Sequence, residues 1–307
     1  MRIIAVLNRD GGTLRTMDLE AFCAEAKAIF AAHGHQLDCR VVKGRKVEAA
    51  LREAAATPGI DALLAGGGDG TISSAAAIAF AAGVPLGVLP AGTMNLFARA
   101  LGMPQTLPEA LGAIAGGTIG AVDIATANDR PFVHQFGVGV HARLVRIREG
   151  MSYSSRIGKM LASLRAIGAA VIAPPEFTAE IRTENGVETR RVAGIAISNN
   201  PLGDGHIPHA DRLDAAVLGV YVAAPMSTWA LLKLALGVLL GTWRASPMVS
   251  EEEVAEVTLR FPQHKRGTHA VLDGELIRLD RIVTLKVHPK ALKVVQPALA
   301  ATQDAAV

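Results

Sequence analysis

ALLAGGGDGTIS, residues 62–73, is the stretch on which the fold turns. Residues 62–65 form an apolar run that reads as a buried strand. Gly66-Gly67-Gly68-Asp69-Gly70-Thr71 reads as a turn, and the small apolar residues of 72–82 read as a helix. The first N–H groups of a helix lack intrahelical acceptors, and the helix dipole adds partial positive charge there. Four glycines allow a bulky anion to come close to the backbone. The turn therefore suits a phosphate. Asp69 is out of place in a simple phosphate cradle unless a divalent cation or a reacting hydroxyl lies between carboxylate and phosphate. A ligand-free βα turn is the alternative. No Gly-Lys-Ser/Thr ends the hexamer, so it is not a P-loop. Thr71 stands where a dinucleotide fingerprint wants a third small residue.

Outward from this point, strand patterns at 3–7, 36–42, 62–65 and 85–89 alternate with helix patterns at 18–33, 47–56, 72–82 and 107–115. That alternation predicts a parallel sheet with helices on both faces, and ligands then belong at the carboxyl ends of its strands. Asn8-Arg9-Asp10-Gly11-Gly12 follows the first strand. Gly92, with Thr93 and Asn95, follows the fourth; Gly92 permits a sharp bend, while the hydroxyl and amide suit a helix start. Asp123 sits in an apolar strand pattern, where an unpaired carboxylate would cost several kcal/mol, so it needs a partner. Beyond it the pattern changes. Alternating runs at 131–140, 176–184, 189–198, 217–223, 251–260, 268–273 and 276–287 predict an antiparallel sandwich, with hairpins at Asn185-Gly186 and Asp273-Gly274.

GGGDGT resembles the nucleotide-binding signature of the diacylglycerol kinase catalytic-domain family. That family includes bacterial soluble lipid kinases and the sphingosine kinases, and its fold is similar to that of NAD kinase and phosphofructokinase. Four further blocks carry the likeness. Residues 89–104 resemble a Pro-x-Gly-Thr-x-Asn block. Residues 8–12 resemble Asn-Pro-x-Ser-Gly, with Arg9 in place of proline. Residues 272–279 contain Asp-Gly-Glu. Residues 203–222 resemble a stretch ending Asp-Gly-x-Leu-Asp-Val, although alanine replaces the glycine after Asp214 and Gly219 replaces the second aspartate. The resemblance runs over about residues 2–295. It implies ATP as co-substrate with Mg²⁺, held by Asn8, Arg9, Gly66, Gly67, Gly68, Asp69, Gly70, Thr71, Thr93 and Asn95. It also implies Glu275 as general base, Asp69 and Asp123 in the catalytic centre, and Asp69, Asp123 and Asp214 as candidate metal ligands.

The expected architecture is thus α/β plus all-β: a Rossmann-like, NAD kinase/phosphofructokinase-like nucleotide-binding domain over 1–123, and a β-sandwich lipid-substrate domain over 124–290. The resemblance has the last strand, 291–296, returning to the first domain, and a tail from 297 is expected to be disordered. The chain of 307 residues is 50% hydrophobic and 4% aromatic with a net charge of +3, which gives no indication of nucleic acid. Cys23 and Cys39 give no disulfide framework, and residue 2 already starts a strand, so no secretory signal is expected. Two helical stretches, 155–172 and 229–243, are apolar. The second carries tryptophans at both ends, which suit a membrane interface and a packed core helix alike. The expectation is a cytoplasmic, peripheral lipid kinase at the inner membrane face, taking a diacylglycerol-like hydroxyl; a homodimer is compatible with it. The rivals are a kinase of a soluble alcohol such as NAD and a non-catalytic nucleotide or lipid binder.

Overall fold

The computed structural model describes residues 1–149, 175–204, 209–265 and 267–297. The chain forms two compact units, Met1–Val122 with Lys290–Val307, and Asp123–Pro289. The helix expected over 155–172 and the tail beyond 297 lie outside the described residues.

The first unit is a parallel sheet built from β1 (Arg2–Asn8), β2 (Gln36–Val42), β3 (Ala62–Gly67) and β4 (Leu86–Pro90), in the spatial order β2-β1-β3-β4. Ala5 pairs with Cys39 on one side and Leu64 on the other, and Gly67 pairs with Pro90. β3 and β4 are buried along their whole length, which is why they read as unbroken apolar runs rather than alternating ones. The connections are α1 (Leu19–Ala32), α2 (Val47–Ala55), α3 (Asp69–Ala82), α4 (Leu96–Ala100) and α5 (Leu107–Ala115). α1 buries Phe22, Ala26 and Phe30, one stripe at a spacing of four. Its N-cap is Asp18, whose Oδ1 accepts the N–H groups of Glu20 and Ala21 at 3.0 and 3.1 Å. Near the chain's end, Val294 pairs in parallel with Leu86. β5 (Thr118–Ala127) leads out of this unit.

Among its described residues, the second unit is antiparallel sheet with two α-helices. Its elements are β6 (Arg130–Phe132), β7 (Gln135–Gly139), α6 (Val140–Glu149), β8 (Phe177–Thr183), β9 (Gly186–Val192), β10 (Gly194–Asn199), β11 (Leu218–Ala223), α7 (Thr228–Leu239), β12 (Val249–Val254), β13 (Glu256–Arg260), β14 (His269–Leu272), β15 (Glu275–Arg278) and β16 (Ile282–Gln296). One sheet runs β12-β11-β10-β7-β14-β15; β16, β13, β8 and β9 are neighbours in the other. Phe136, Val138, Ile195 and Ile197 from the first sheet pack with Ile181, Val257, Leu259 and Leu285 from the second.

Four expected strands turn out to be split. The run 131–140 divides into β6 and β7, 189–198 falls on β9 and β10, 251–260 on β12 and β13, and 276–287 on β15 and β16. At each division the chain passes from one sheet to the other. The inward–outward alternation has the same period in both sheets, so the pattern runs on through the crossing.

α7 is shorter than the apolar run 229–243. It ends at Leu239, and Gly241 follows with φ 70°. The two tryptophans have opposite fates. Trp229 is 74% exposed, whereas Trp243 is buried against Tyr221, edge to face at 5.4 Å, with the Arg244 guanidinium 5.0 Å from its ring centroid. Among the described residues, no helix is long and apolar enough to cross a membrane.

Candidate active site

Three motifs of the first unit end at the same edge of its sheet. β1 ends at Asn8, β3 at Gly67 and β4 at Pro90. α3 begins at Asp69 rather than at Ile72, so Asp69, Gly70 and Thr71 form the first helical turn instead of a loop. Gly68 is the extended N-cap, and its carbonyl accepts the N–H of Ile72 at 3.1 Å. An acid in the first turn is favoured by the dipole, and glycine costs little at a helix end, so local propensity understated the helix here.

Asp69 ties this turn to the next motif. Its Oδ2 accepts the N–H of Asn95 at 3.1 Å and its Oδ1 that of Leu96 at 2.7 Å. α4 therefore takes its N-terminal acceptor from α3; its own N-cap residue, Asn95, makes no capping bond. Asn95 is left-handed, with φ 52°, and its Oδ1 instead accepts the N–H of Gly92 at 2.8 Å. The glycines allow this packing. A Cβ on Gly92 would lie 2.7 Å from the Gly68 Cα, and one on Gly67 would lie 2.6 Å from the Thr71 Cβ. Part of the glycine content thus serves contact between the loops themselves, where the sequence suggested room for an anion.

Asn8 joins the same edge, its Nδ2 donating to Thr71 Oγ1 at 3.1 Å. Its Oδ1 accepts the N–H of Asp10 at 3.1 Å, an Asx turn. The exposed Arg9 donates its backbone N–H to the Val42 carbonyl at 3.0 Å, a bond that proline could not make. Thr93 is exposed. The structure therefore brings Asn8, the 66–71 turn and residues 92–96 into one hydrogen-bonded edge.

In the second unit, Asp123 is fully buried and accepts the N–H of Ala216 on Oδ2 at 2.7 Å, while its own N–H donates to Leu213 O at 2.7 Å. This is the partner that its burial demanded. Asp214, between those contacts in sequence, is exposed and ion-paired with Arg212 at 3.1 Å. Glu275 is exposed at the start of β15, opposite Leu272. The intervening turn places Asp273 at φ 47° and Gly274 at φ 86°, two left-handed residues in succession.

Sequence reasoning missed two residues. Asp273, read only as a turn former, is buried, and its carboxylate accepts three successive backbone N–H groups, from Val133, His134 and Gln135, at 2.9, 2.9 and 3.0 Å. Asn199 donates from Nδ2 to the carbonyls of Asp123 (3.0 Å) and Val133 (3.4 Å). Residues 133–135 are therefore the common support of the Asp123 strand and the Asp273-Gly274-Glu275 turn. The buried Asn pair after an apolar strand was the signal available for Asn199; nothing local marked Asp273 as an acceptor for distant amides.

Asp69 and Asp123 are hard oxygen donors, the ligand type that Mg²⁺ takes alongside phosphate oxygens. No group of three or more His, Cys, Asp or Glu side chains able to hold a metal occurs among the described residues.

Residues 2–127 match the model of the diacylglycerol kinase catalytic domain. An uncharacterized Synechocystis sp. protein, sll0036, is 30% identical over 248 residues, 76% of this chain and 54% of that one. A probable lipid kinase YegS-like protein of Citrobacter koseri is 49% identical over 76 residues, 24% of this chain and 25% of that one. The chain spans about half the length of the first relative and a quarter of the second. A crystal structure of a diacylglycerol kinase from Bacillus anthracis str. Sterne matches with a TM-score of 0.68 at 16% identity, covering 96% of each chain. A second structure from that organism gives 0.73 at 20%, again with 96% of each chain. At these identities the structural likeness is one of fold.

Proposed function

Because the chain belongs to the diacylglycerol kinase catalytic-domain family, we propose that it is an ATP-dependent lipid kinase that phosphorylates the hydroxyl of a diacylglycerol-like lipid. The observation that carries this reading is the edge formed by Asn8, Thr71, Asp69 and Asn95, where the N-terminus of the 14-residue helix α3 is pinned beside a second loop. The N–H groups of the first turn of α3 bind nucleotide phosphates, and Thr93, with Asn8 and Arg9, flanks them. Asp69 and Asp123 are the groups suited to Mg²⁺, which when bound neutralises charge on the transferring phosphoryl. Asp214 is held by Arg212 and would have to release it to act as a ligand. Glu275 takes the proton of the acceptor hydroxyl, which is a poor nucleophile until it is deprotonated.

Two features of the second unit support a lipid acceptor. A cavity of about 340 Å³ is bordered by Leu144, Ile195, Leu202, Leu234, Val238 and Trp243, an apolar lining suited to an acyl chain. Above it, α7 turns Leu231, Leu234 and Val238 inward. Its other face shows Trp229 at 74% exposure, Leu236 at 55%, Leu239 at 69% and, just past the helix, Leu240 at 57%. So much exposed apolar surface on one face suits a bilayer interface. The protein then works in the cytoplasm, where ATP is supplied, peripherally at the inner membrane face.

The test is a labelled-ATP assay with the purified chain across diacylglycerol, sphingoid base, ceramide, phosphatidylglycerol and NAD, with products identified by mass. A labelled lipid phosphate is the expected product. Label on NAD alone would replace the reading with a soluble-alcohol kinase, and ATP binding with no labelled product would replace it with a non-catalytic binder.

A further inference from the structure

A second cavity in the sandwich unit, of about 500 Å³, opens where β7 and β13 end and β8 and β14 begin. That volume is within the range of about 300–1,000 Å³ typical of small-molecule sites. Its buried lining is apolar, with Val138, Ala142, Phe261 and Leu279, and Phe177 half-buried beside them. Among the described residues, its polar side carries the cations Arg143, Arg146 and Lys265, with His264 and His269 among them, and one carboxylate, Glu176, which is ion-paired with Arg191. Arg146 Nη2 donates to His269 Nδ1 at 3.1 Å. A guanidinium can only donate, so that imidazole carries its hydrogen on Nε2.

One residue of the lining, His264, also carries an unpartnered ring nitrogen just beneath the cavity wall. His264 Nδ1 is buried and has no hydrogen-bond partner among the described residues. Buried polar atoms in folded proteins are nearly always paired.

The geometry points to a second binding site, for a phosphate-bearing amphiphile: a phosphate monoester seated among Arg143, Arg146 and Lys265, with its apolar chain on Phe177, Phe261 and Leu279. A carboxylate would occupy one guanidinium fork, whereas a phosphate presents enough oxygens for both arginines and the lysine together. The apolar lining would be idle under a bare inorganic ion. The site is separate from the cavity assigned above to the acceptor's acyl chain, but α6 borders both. Ala142, Arg143 and Arg146 line the cationic cavity, and Val140, His141 and Leu144 line the other. The site stands whether or not the chain is a lipid kinase.

Calorimetric titration of the full chain, without nucleotide, tests this. The probes are dihexanoyl phosphatidic acid, dihexanoyl phosphatidylcholine and inorganic phosphate. Phosphatidic acid is expected to bind tighter than either of the others by about tenfold or more, and Arg146→Glu with Lys265→Glu to lose about that factor. Arg52→Glu, an exposed charge swap in the other unit, is expected to bind as the unaltered chain does. If the double variant melts early, Lys265→Glu alone serves, since that side chain is exposed. Undiminished phosphatidate binding in the folded variant overturns the proposal. So does phosphatidylcholine or inorganic phosphate binding as tightly as phosphatidate.

Discussion

Asp69 Oδ2 accepts the backbone N–H of Asn95 at 3.1 Å, across 26 residues of sequence. With the companion bond to Leu96, this carboxylate anchors the start of α4 at the edge where nucleotide phosphates are proposed to bind. Asp69→Ala is expected to abolish turnover. It should also destabilise the fold by about 1–3 kcal/mol, because two amide donors lose their acceptor. Asp69→Asn keeps an acceptor oxygen for one of the two amides and should recover part of the stability but none of the activity. Urea unfolding and the ATP assay measured side by side separate the two roles. Full activity in Asp69→Asn would remove Asp69 from the chemistry.

Glu275 is exposed at the start of β15, and glutamine matches its size. Glu275→Gln is expected to lower turnover by about 10²–10⁴, the usual contribution of a general base. Melting temperature and nucleotide affinity should stay at wild-type values. Turnover within a factor of about three of wild type would mean that another group takes the proton.

Asp273, two residues away, should behave in the opposite way. Its carboxylate gathers three successive backbone amides, one of them buried and two half-buried, so Asp273→Ala is expected to cost about 3 kcal/mol in urea unfolding. The loss of activity should track the loss of folded protein. A variant that is stable yet inactive would instead assign Asp273 a direct part in the reaction.

The outer face of α7 predicts membrane binding. Leu236→Glu with Leu239→Glu is expected to reduce co-sedimentation with anionic vesicles while leaving the melting temperature unchanged, because both residues are exposed. Wild-type vesicle binding in this variant would exclude α7 as the contact.

Cys39 offers a pH test of the first unit. Burial first, then the neighbouring Cys23, pushes its thiol from 9.0 up to about 12. The folded protein therefore holds this proton through a range in which the unfolded chain releases it. The resulting contribution to stability is complete below about pH 9 and is lost as pH rises toward 12. A Cys39→Ser variant should show a shallower fall in stability over that window. In a Cys23→Ser background, disulfide exchange with an aromatic disulfide reagent at pH 8 should be slow until the protein unfolds, since only the thiolate attacks. A rapid reaction in the native state would contradict this.

The α/β half was legible because its information is local. The run 62–73 showed strand, turn and helix in order, and 36–42 and 107–115 are the bounds of β2 and α5. Legibility failed where distant backbone decides. Residues 189–198 keep their alternation through Ala193, though β9 and β10 belong to different sheets. Trp229 and Trp243 look equivalent in sequence, and only tertiary packing with Tyr221 and Leu202 makes the second a core residue. The Asp273-Gly274 dipeptide announced its turn, but the amides of 133–135 lie about 140 residues away. In the candidate site, the motifs named their residues; the Asp69–Asn95 and Asn8–Thr71 bonds that join them had no local signature.

The strand crossings near 133, 193, 255 and 280 stitch the sandwich like a laced seam. Neither layer is a continuous piece of chain, so neither can detach, be excised or mature before its counterpart. Calorimetry of Asp123–Pro289 should accordingly give a single heat-absorption peak rather than a shoulder, and a protease nick at any crossing would unravel both faces together.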